Sequence, residues 1–286
     1  MVCIYCRKKK ERKKKDGQLV VFCNRTYFLF FTGGQTISPE QVTQDDLASY
    51  IDAANAAVSP FDLEIRSILS QKVPTGQVNG NGNQANPERI FALVNTTSDP
   101  LMQLATTYSA DEIAFVKRLL DAMFDTYNTR RLQAMVVSAT QAIQLARVTA
   151  SEGSSRRESQ GGGQIQALSM TQAETVLKSL VQEGWLEMSR KGYYSLTPRA
   201  LIELRTWLVS MYNEDGEADR IKFCAACREI VTVGQRCAKR ECPGRLHDMC
   251  MRNVFRVQQA EKCPVCKEDW PGNQFVGERA ITMADR

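Results

Sequence analysis

The stretch CAACREIVTVGQRCAKRECPGRLHDMCMRNVFRVQQAEKCPVC, residues 224–266, decides the fold of the C-terminal part of the chain. It contains seven of the ten cysteines and the only histidine. These residues follow in the order Cys224-x2-Cys227-x9-Cys237-x4-Cys242-x4-His247-x2-Cys250-x12-Cys263-x2-Cys266. Two residues between ligands allow a tight turn that aims both side chains at one tetrahedral zinc ion, and three pairs have this spacing. The pattern therefore predicts eight ligands for two zinc ions.

The predicted zinc ions are structural rather than catalytic, because eight ligands complete both tetrahedral shells and leave no position for a reactive water. The segment has few large apolar residues, and a module of about 50 residues with a small core usually needs metal or disulfides to be stable. Disulfides are the alternative. We favour zinc, because the histidine falls in register with the cysteines and no convincing secretory signal precedes them.

Length and composition favour several soluble modules rather than one core. The chain has 286 residues, of which 43% are hydrophobic and 24% charged, as in ordinary globular proteins. The run from Arg7 to Lys15 has a formal charge of +7, and the whole chain has one of +5, so the rest of the chain sums to −2. Such a run is more typical of a solvated, disordered segment than of a nucleic-acid or nuclear-localisation arm. The apolar residues 19–31 are too few for the roughly 20 that a membrane span needs, and we expect neither secretion nor membrane insertion.

Residues 37–150 predict a first winged-helix domain, after a basic and aromatic lead-in over residues 1–36. Thr43 begins a capping box that is followed by apolar residues at helical spacing. Residues 61–66 alternate between apolar and polar side chains, and Arg89–Asn95 supplies a returning strand after a loop rich in glycine and asparagine. A helix followed by a hairpin with a long loop is the outline of a winged helix.

Two further helices and a linker follow. The capping box that begins at Ser109 precedes an apolar helical face, and another helix is predicted from Leu132 to Val148. Residues 151–163 lack apolar side chains and form a linker or an exposed loop.

Residues 164–213 predict a second winged-helix domain. Thr171 caps a helix, a hairpin turns at Ser189–Gly192, and Thr197 caps a closing helix. The helix before the hairpin carries balanced charge, which favours protein docking or a structural role over DNA binding.

The ligand order resembles that of the RING and PHD finger superfamily, in which ligand pairs alternate between two ions in a cross-brace. Four cysteines, one histidine and three cysteines are shared by PHD fingers and variant RINGs. Glu261 stands where a PHD finger usually has an aromatic residue, and Cys263-Pro-Val-Cys266 is a closing pair common in RINGs. The variant RING is therefore favoured. The resemblance implies that one zinc ion is held by Cys224, Cys227, His247 and Cys250, and the other by Cys237, Cys242, Cys263 and Cys266.

The whole arrangement from about Ser38 to Trp270 is similar to the RING-bearing non-SMC element of the SMC five–six genome-stability complex, most closely to fungal members. Its fold class is mainly α with small β sheets: tandem winged-helix domains, a cross-brace variant RING over 220–270, and a C-terminal tail over 271–286. Residues 1–36 do not resemble the opening helices of that family, so we expect an atypical N-terminus.

This resemblance implies a RING-type E3 ubiquitin ligase subunit that acts in the nucleus in DNA repair and recombination. The implied partners are a MAGE-type non-SMC subunit, a kleisin subunit, the SMC five–six heterodimer and a ubiquitin-conjugating enzyme. Contact with DNA would be indirect.

The resemblance also implies a shallow groove for the conjugating enzyme, formed by the two zinc loops and the intervening helix. Its expected residues are Ala225, Ala226, Val254, Pro264 and Val265. Lys267 falls where many RINGs place a basic residue that contacts both the enzyme and its ubiquitin. The two alanines bury less apolar area than the bulky residue of many active RINGs, which predicts low intrinsic activity and help from a partner. A non-catalytic assembly module and a chromatin or DNA reader remain alternatives.

Overall fold

The computed structural model describes residues 31–32, 35–36, 43–72, 89–97, 107–147, 166–213 and 219–284. They divide into two compact units, one formed by residues up to Ser67 together with Phe91–Thr97, the other by the rest of the chain. The basic run and the predicted linker lie outside the described residues. Within these ranges, no helix combines the length and the apolar character that crossing a bilayer requires.

The first unit contains the predicted helix and strands, preceded by two short strands in the lead-in, where the sequence predicted no regular element. Its elements are β1 (Phe31–Thr32), β2 (Gln35–Thr36), α1 (Gln44–Val58), and parts of the paired strands β3 (Leu63–Leu69) and β4 (Arg89–Asn95). The predicted capping box is confirmed, because the Thr43 hydroxyl accepts from the Asp46 amide and the Asp46 carboxylate accepts from the Thr43 amide. Asn55 ties α1 to β3: its Oδ1 accepts from the Ile65 amide at 2.7 Å and its Nδ2 donates to the Ile65 carbonyl at 3.3 Å.

The second unit contains a winged helix whose three-stranded antiparallel sheet has the order β5-β7-β6. Its elements are α2 (Ala110–Asp121), β5 (Val137–Ser138), α3 (Ala139–Gln144), α4 (Met170–Gln182), β6 (Leu186–Met188) and β7 (Tyr193–Leu196). Phe115 and Leu119 of α2 share a buried core with Leu177 and Leu180 of α4. The elements α2, β5 and α3 therefore pack with the hairpin of the second winged helix, although the predicted boundaries put them with the first.

Two local predictions in this region are wrong. The helix predicted from Leu132 to Val148 is confined to α3, because Val137 and Ser138 form β5 and Ser138 caps the helix that follows. The cap of α4 is Ser169 rather than Thr171, since the Ser169 hydroxyl accepts from the amide of the third helical residue. The Ser109 cap, by contrast, is confirmed.

The chain continues through two short helices, α5 (Pro198–Glu203) and α6 (Arg205–Tyr212), which divide the predicted closing helix at Leu204. Thr197 caps α5, as predicted. The cysteine-rich segment then forms β8 (Gly234–Arg236), β9 (Arg245–Leu246) and α7 (Asp248–Gln258), and the residues described as a tail add β10 (Phe275–Val276) and α8 (Glu278–Ala284).

The last strand belongs to the sheet of the cysteine-rich segment, whose order is β10-β8-β9. Arg279 of α8 donates from Nη2 to both carboxylate oxygens of Asp248, at 2.9 and 2.7 Å, and to the Gly234 carbonyl at 3.2 Å. The RING-like fold thus extends beyond the last predicted ligand pair.

Candidate metal centre

The eight predicted ligands gather into two groups of four, and within each group all ligand atoms lie within 4.8 Å of one another. The first ligand group is Cys224, Cys227, His247 and Cys250, and the second ligand group is Cys237, Cys242, Cys263 and Cys266. These are the sets that the cross-brace resemblance implies. All seven cysteines are free thiols rather than disulfides.

The spacing within each group fits a tetrahedral zinc ion. In the second group, the Sγ atoms of Cys237 and Cys266 are 3.5 Å apart and those of Cys242 and Cys263 are 3.7 Å apart. Two sulfurs bound to zinc at about 2.3 Å lie close to this distance from each other. The donor set of thiolates and one imidazole is also the usual one for structural zinc.

The two CxxC pairs form the same turn. The Cys224 amide donates to the carbonyl five residues later and its own carbonyl accepts from the Arg228 amide, and Cys263 and Lys267 repeat both contacts. Arg228 and Lys267 share a φ of 63°, in the left-handed region that few residues other than glycine adopt. The repeated turn therefore sets the backbone at Lys267, independently of what its side chain does.

His247 is oriented by a backbone carbonyl. Its Nδ1 lies 3.3 Å from the Cys227 sulfur and 3.9 Å from the Cys250 sulfur, while Nε2 lies 3.2 Å from the Ile230 oxygen. Because a carbonyl can only accept, Nε2 carries a proton, and Nδ1 is the nitrogen that faces the sulfurs and would bind the metal. Burial lowers the pKa of His247, but the thiols of Cys224 and Cys227 outweigh burial and raise it to about 10.

Gly244 leaves room for the second ligand group. A Cβ atom added at this residue would lie 2.6 Å from the Cys263 sulfur and 3.3 Å from the Cys242 sulfur. Real Cβ atoms do not approach other heavy atoms this closely, so a side chain here would push ligand sulfurs out of place. The backbone at this point is shaped around the sulfur atoms.

Two buried arginines flank the second ligand group. Arg245 is 1% exposed and Arg236 is 7% exposed, and neither was identified from the sequence. Zn²⁺ with four thiolates carries a net charge of −2, which two guanidinium groups would balance. Burial lowers the pKa of Arg245 to about 10, and the nearby thiols of Cys242 and Cys237 act in the opposite direction. Arg245 therefore remains charged at neutral pH.

Arg245 is held by three hydrogen bonds. Its Nε donates to Gln133 Oε1 at 2.7 Å, and its Nη1 donates to the carbonyls of Cys242 and Gly244 at 2.8 Å each. Gln133 lies more than 100 residues earlier in the chain. Nothing in the spacing of the cysteines could have revealed this contact.

The residues expected to contact a conjugating enzyme lie on the two CxxC turns and on α7. Ala225, Val254 and Pro264 are half-buried, whereas Ala226, Val265 and Lys267 are exposed. Val265 is 49% exposed. The Lys267 ammonium donates to the Pro264 carbonyl at 3.1 Å. Sequence reasoning missed Val257 of α7, which is 81% exposed, because its apolar character alone does not distinguish it from a core residue.

Comparison with known proteins identifies the family. A model described as "Nse1 non-SMC component of SMC5-6 complex" matches residues 23–204, and a "RING-like domain" model matches residues 224–266. This chain belongs to the Nse1 family. The family resemblance and the fold class that the sequence predicts are both confirmed.

Relatives of this Nse1-family chain include a human protein and a fission-yeast protein. The non-structural maintenance of chromosomes element 1 homolog of Homo sapiens is 24% identical over 235 residues, which are 82% of this chain and 73% of the relative. The Schizosaccharomyces pombe protein is 25% identical over 242 residues, which are 83% of this chain and 82% of the relative.

A solved structure, named "Nse1-Nse3-Nse4 complex", has the same fold. A chain of that structure matches with a TM-score of 0.55 and 22% identity, over 81% of this chain and 82% of its own length. At this identity the likeness establishes the fold of the Nse1-family chain.

Proposed function

We propose that this chain is a RING-type E3 ubiquitin ligase subunit of the SMC5-6 complex that positions a ubiquitin-loaded conjugating enzyme. The two ligand groups would hold one structural Zn²⁺ each, and the zinc ions would stabilise the turns that form the enzyme-binding face. The proposal extends to a nuclear role in DNA repair and recombination, which the resemblance to the element of the SMC five–six genome-stability complex implies.

The observation that carries this proposal is the closing turn from Cys263 to Lys267. It offers an exposed apolar side chain, Val265, and an exposed cation, Lys267, on a turn whose two cysteines belong to the second ligand group. All seven described cysteines belong to ligand groups, so none is available as a nucleophile that would carry ubiquitin. Catalysis would therefore consist of holding the thioester in reach of a substrate amine.

The proposed enzyme-binding face is small. Ala225 and Ala226 on the first turn add little apolar area, and Lys267 is already hydrogen-bonded to the Pro264 carbonyl. Val257 adds an exposed apolar side chain on α7. We therefore expect weak docking of the conjugating enzyme by the chain alone, and stronger docking when a partner adds contact area or orders the face.

The proposed partners are a MAGE-type subunit, a kleisin subunit and the SMC heterodimer. The solved relative is assembled with Nse3 and Nse4, as its name states. This chain has exposed large apolar side chains outside the RING-like fold that suit protein contacts. They are Phe61 (72% exposed), Met170 (63%), Met188 (57%) and Met211 (48%).

The test is a ubiquitin-chain assay with the purified full chain, with and without candidate partners. Cys263→Ser should abolish chain formation. Val265→Ala, which leaves the ligands intact, should remove about 1 kcal/mol of apolar burial and slow the reaction roughly fivefold. Met283→Ala, an exposed apolar residue of α8 that belongs to neither proposed surface, is the matched control. Equal activity of Val265→Ala, Lys267→Ala and the unaltered chain would contradict the proposed face.

A non-catalytic assembly module is the second candidate, and the exposed Phe61 and the exposed methionines favour it. It predicts stable complex formation that survives Val265→Ala and Lys267→Ala, together with no ubiquitin transfer under any partner combination. Size-exclusion chromatography of the same samples measures the complexes. The predicted DNA reader depends mainly on the basic run from Arg7 to Lys15, which lies outside the described residues.

A further inference from the structure

Gln71 makes four hydrogen bonds to the cysteine-rich segment, which it precedes by some 150 positions. It lies two residues after β3 and is 6% exposed. Its Nε2 donates to the Ile230 carbonyl at 2.8 Å, and its Oε1 accepts from the amides of Thr232 (3.0 Å) and Val233 (2.9 Å) and from the Thr232 hydroxyl (3.1 Å). The amide orientation is fixed, because the carbonyl can only accept and the two backbone amides can only donate.

The carbonyl that Gln71 contacts is the one that orients a ligand. The Ile230 oxygen lies 2.8 Å from Gln71 Nε2 and 3.2 Å from His247 Nε2. A carbonyl oxygen has two lone pairs, and these two N–H groups use both of them. The position of this oxygen therefore depends on Gln71, and the tautomer and tilt of the imidazole depend on the oxygen.

The second ligand group is supported differently. Its outside contact is Gln133, which accepts from the guanidinium of Arg245 and reaches no ligand or ligand-orienting carbonyl in the described part of the chain. Both glutamines come from outside residues 220–270. Their different connections allow the two groups to be perturbed separately.

We propose that Gln71 is a positioning residue for the first ligand group. It holds the Ile230 carbonyl so that His247 presents Nδ1 to the metal, and it thereby slows the release of the ion from this group without affecting the second group. This inference rests on the proposed zinc content, and it extends the proposed function because Ala225 and Ala226 lie between two ligands of the first group.

Two substitutions distinguish the roles of the Nε2 donor and the Oε1 acceptor of Gln71. Gln71→Met removes all four contacts at nearly the same length. Gln71→Glu keeps an acceptor for the two amides and the hydroxyl, but places a second oxygen against the Ile230 carbonyl instead of a donor. Gln133→Met is the matched control, and Thr197→Val removes a buried hydroxyl that bonds the Gly184 carbonyl and the Ala200 amide far from the ligands.

The readout is cadmium NMR of the full chain loaded with cadmium. A site of three sulfurs and one nitrogen and a site of four sulfurs give separate signals. We expect both Gln71 variants to shift only the signal of the first group. Transfer of zinc to a chromophoric chelator should accelerate about tenfold for one of the two ions. Gln133→Met and Thr197→Val should leave the signal of the first group in place.

Other results would overturn the inference. If Gln71→Met lowers the unfolding temperature but moves neither cadmium signal, Gln71 is a packing residue only. If Thr197→Val speeds release of the same ion equally, the effect is general destabilisation. An unaltered chain with fewer than two bound ions would refute the proposed zinc content itself. A chain with two ions and unaffected Gln71 variants would refute only the role of Gln71.

Discussion

Replacement of Arg245 by methionine tests whether a buried cation balances the charge of the second ligand group. Methionine fills much of the same space but removes a guanidinium in a residue that is 1% exposed. It deletes the hydrogen bond to Gln133 at 2.7 Å and the two carbonyl contacts at 2.8 Å. Loss of one partner of a buried charge interaction costs about 3–5 kcal/mol, so we expect the free energy of unfolding to fall by about 4 kcal/mol.

The assay is equilibrium urea unfolding combined with metal content by native mass spectrometry. Arg240→Met, an exposed arginine in the loop before β9, should change the free energy of unfolding by no more than about 0.5 kcal/mol. Arg245→Lys keeps the charge but lacks the planar guanidinium group. We expect it to lower the free energy of unfolding by about 2 kcal/mol, which is between the effects of Arg240→Met and Arg245→Met. If Arg245→Met holds both ions and unfolds within about 1 kcal/mol of Arg240→Met, the charge-balance argument is wrong.

Three further changes have separate expected outcomes. Gly244→Ala places a Cβ 2.6 Å from a ligand sulfur, and metal titration should show at least about tenfold weaker binding at the second ligand group only. Arg199→Met leaves Glu203 buried without its ion pair at 2.6 Å, and urea unfolding should show a loss of about 2 kcal/mol near neutral pH. Burial raises the pKa of Glu203 above its ordinary value, and Arg199 lowers it. Without Arg199 the carboxyl takes up its proton at a higher pH, so this deficit should shrink as the pH falls below neutral. Arg279→Ala removes the bidentate contact to Asp248 and should cost about 1 kcal/mol, with faster amide hydrogen exchange in β8 and α8; unchanged exchange there would contradict the docking of α8.

The features predicted correctly from the sequence are those that short spacing determines. Two residues between cysteines produce a turn whose hydrogen bonds close within six residues, so Cys224 and Cys263 could be placed from their neighbours alone. The helix starts at Thr43, Ser109 and Thr197 are likewise set by a side chain and an amide three residues away. Both partners of such short-range interactions lie within a few residues of each other, so the local sequence is enough to predict them.

The wrong prediction of a helix from Leu132 to Val148 concerns residues whose conformation is set by a distant partner. Residues 132–138 have enough apolar side chains for a helical face, but Val137 pairs with Tyr194 of β7, more than 50 residues later. The sheet gains a strand there, and Ser138 begins the helix only afterwards. Hydrophobic periodicity cannot distinguish these outcomes, because the partner strand is not part of the pattern.

The buried polar residues around the two ligand groups explain why the cysteine pattern gives only part of the site. Metal binding can fold a segment with a small core, and the ligand spacing describes that step completely. The orientation of His247 and the position of a buried cation then depend on groups that the spacing does not contain: Gln71 acts through the Ile230 carbonyl, and Gln133 holds Arg245. A surface that must hold a partner in one geometry needs this second level of support, because a metal ion fixes the positions of sulfur and nitrogen atoms but not of the loops between them. It follows that substitutions far from the ligands in sequence can alter the proposed enzyme-binding face while all eight ligands remain in place.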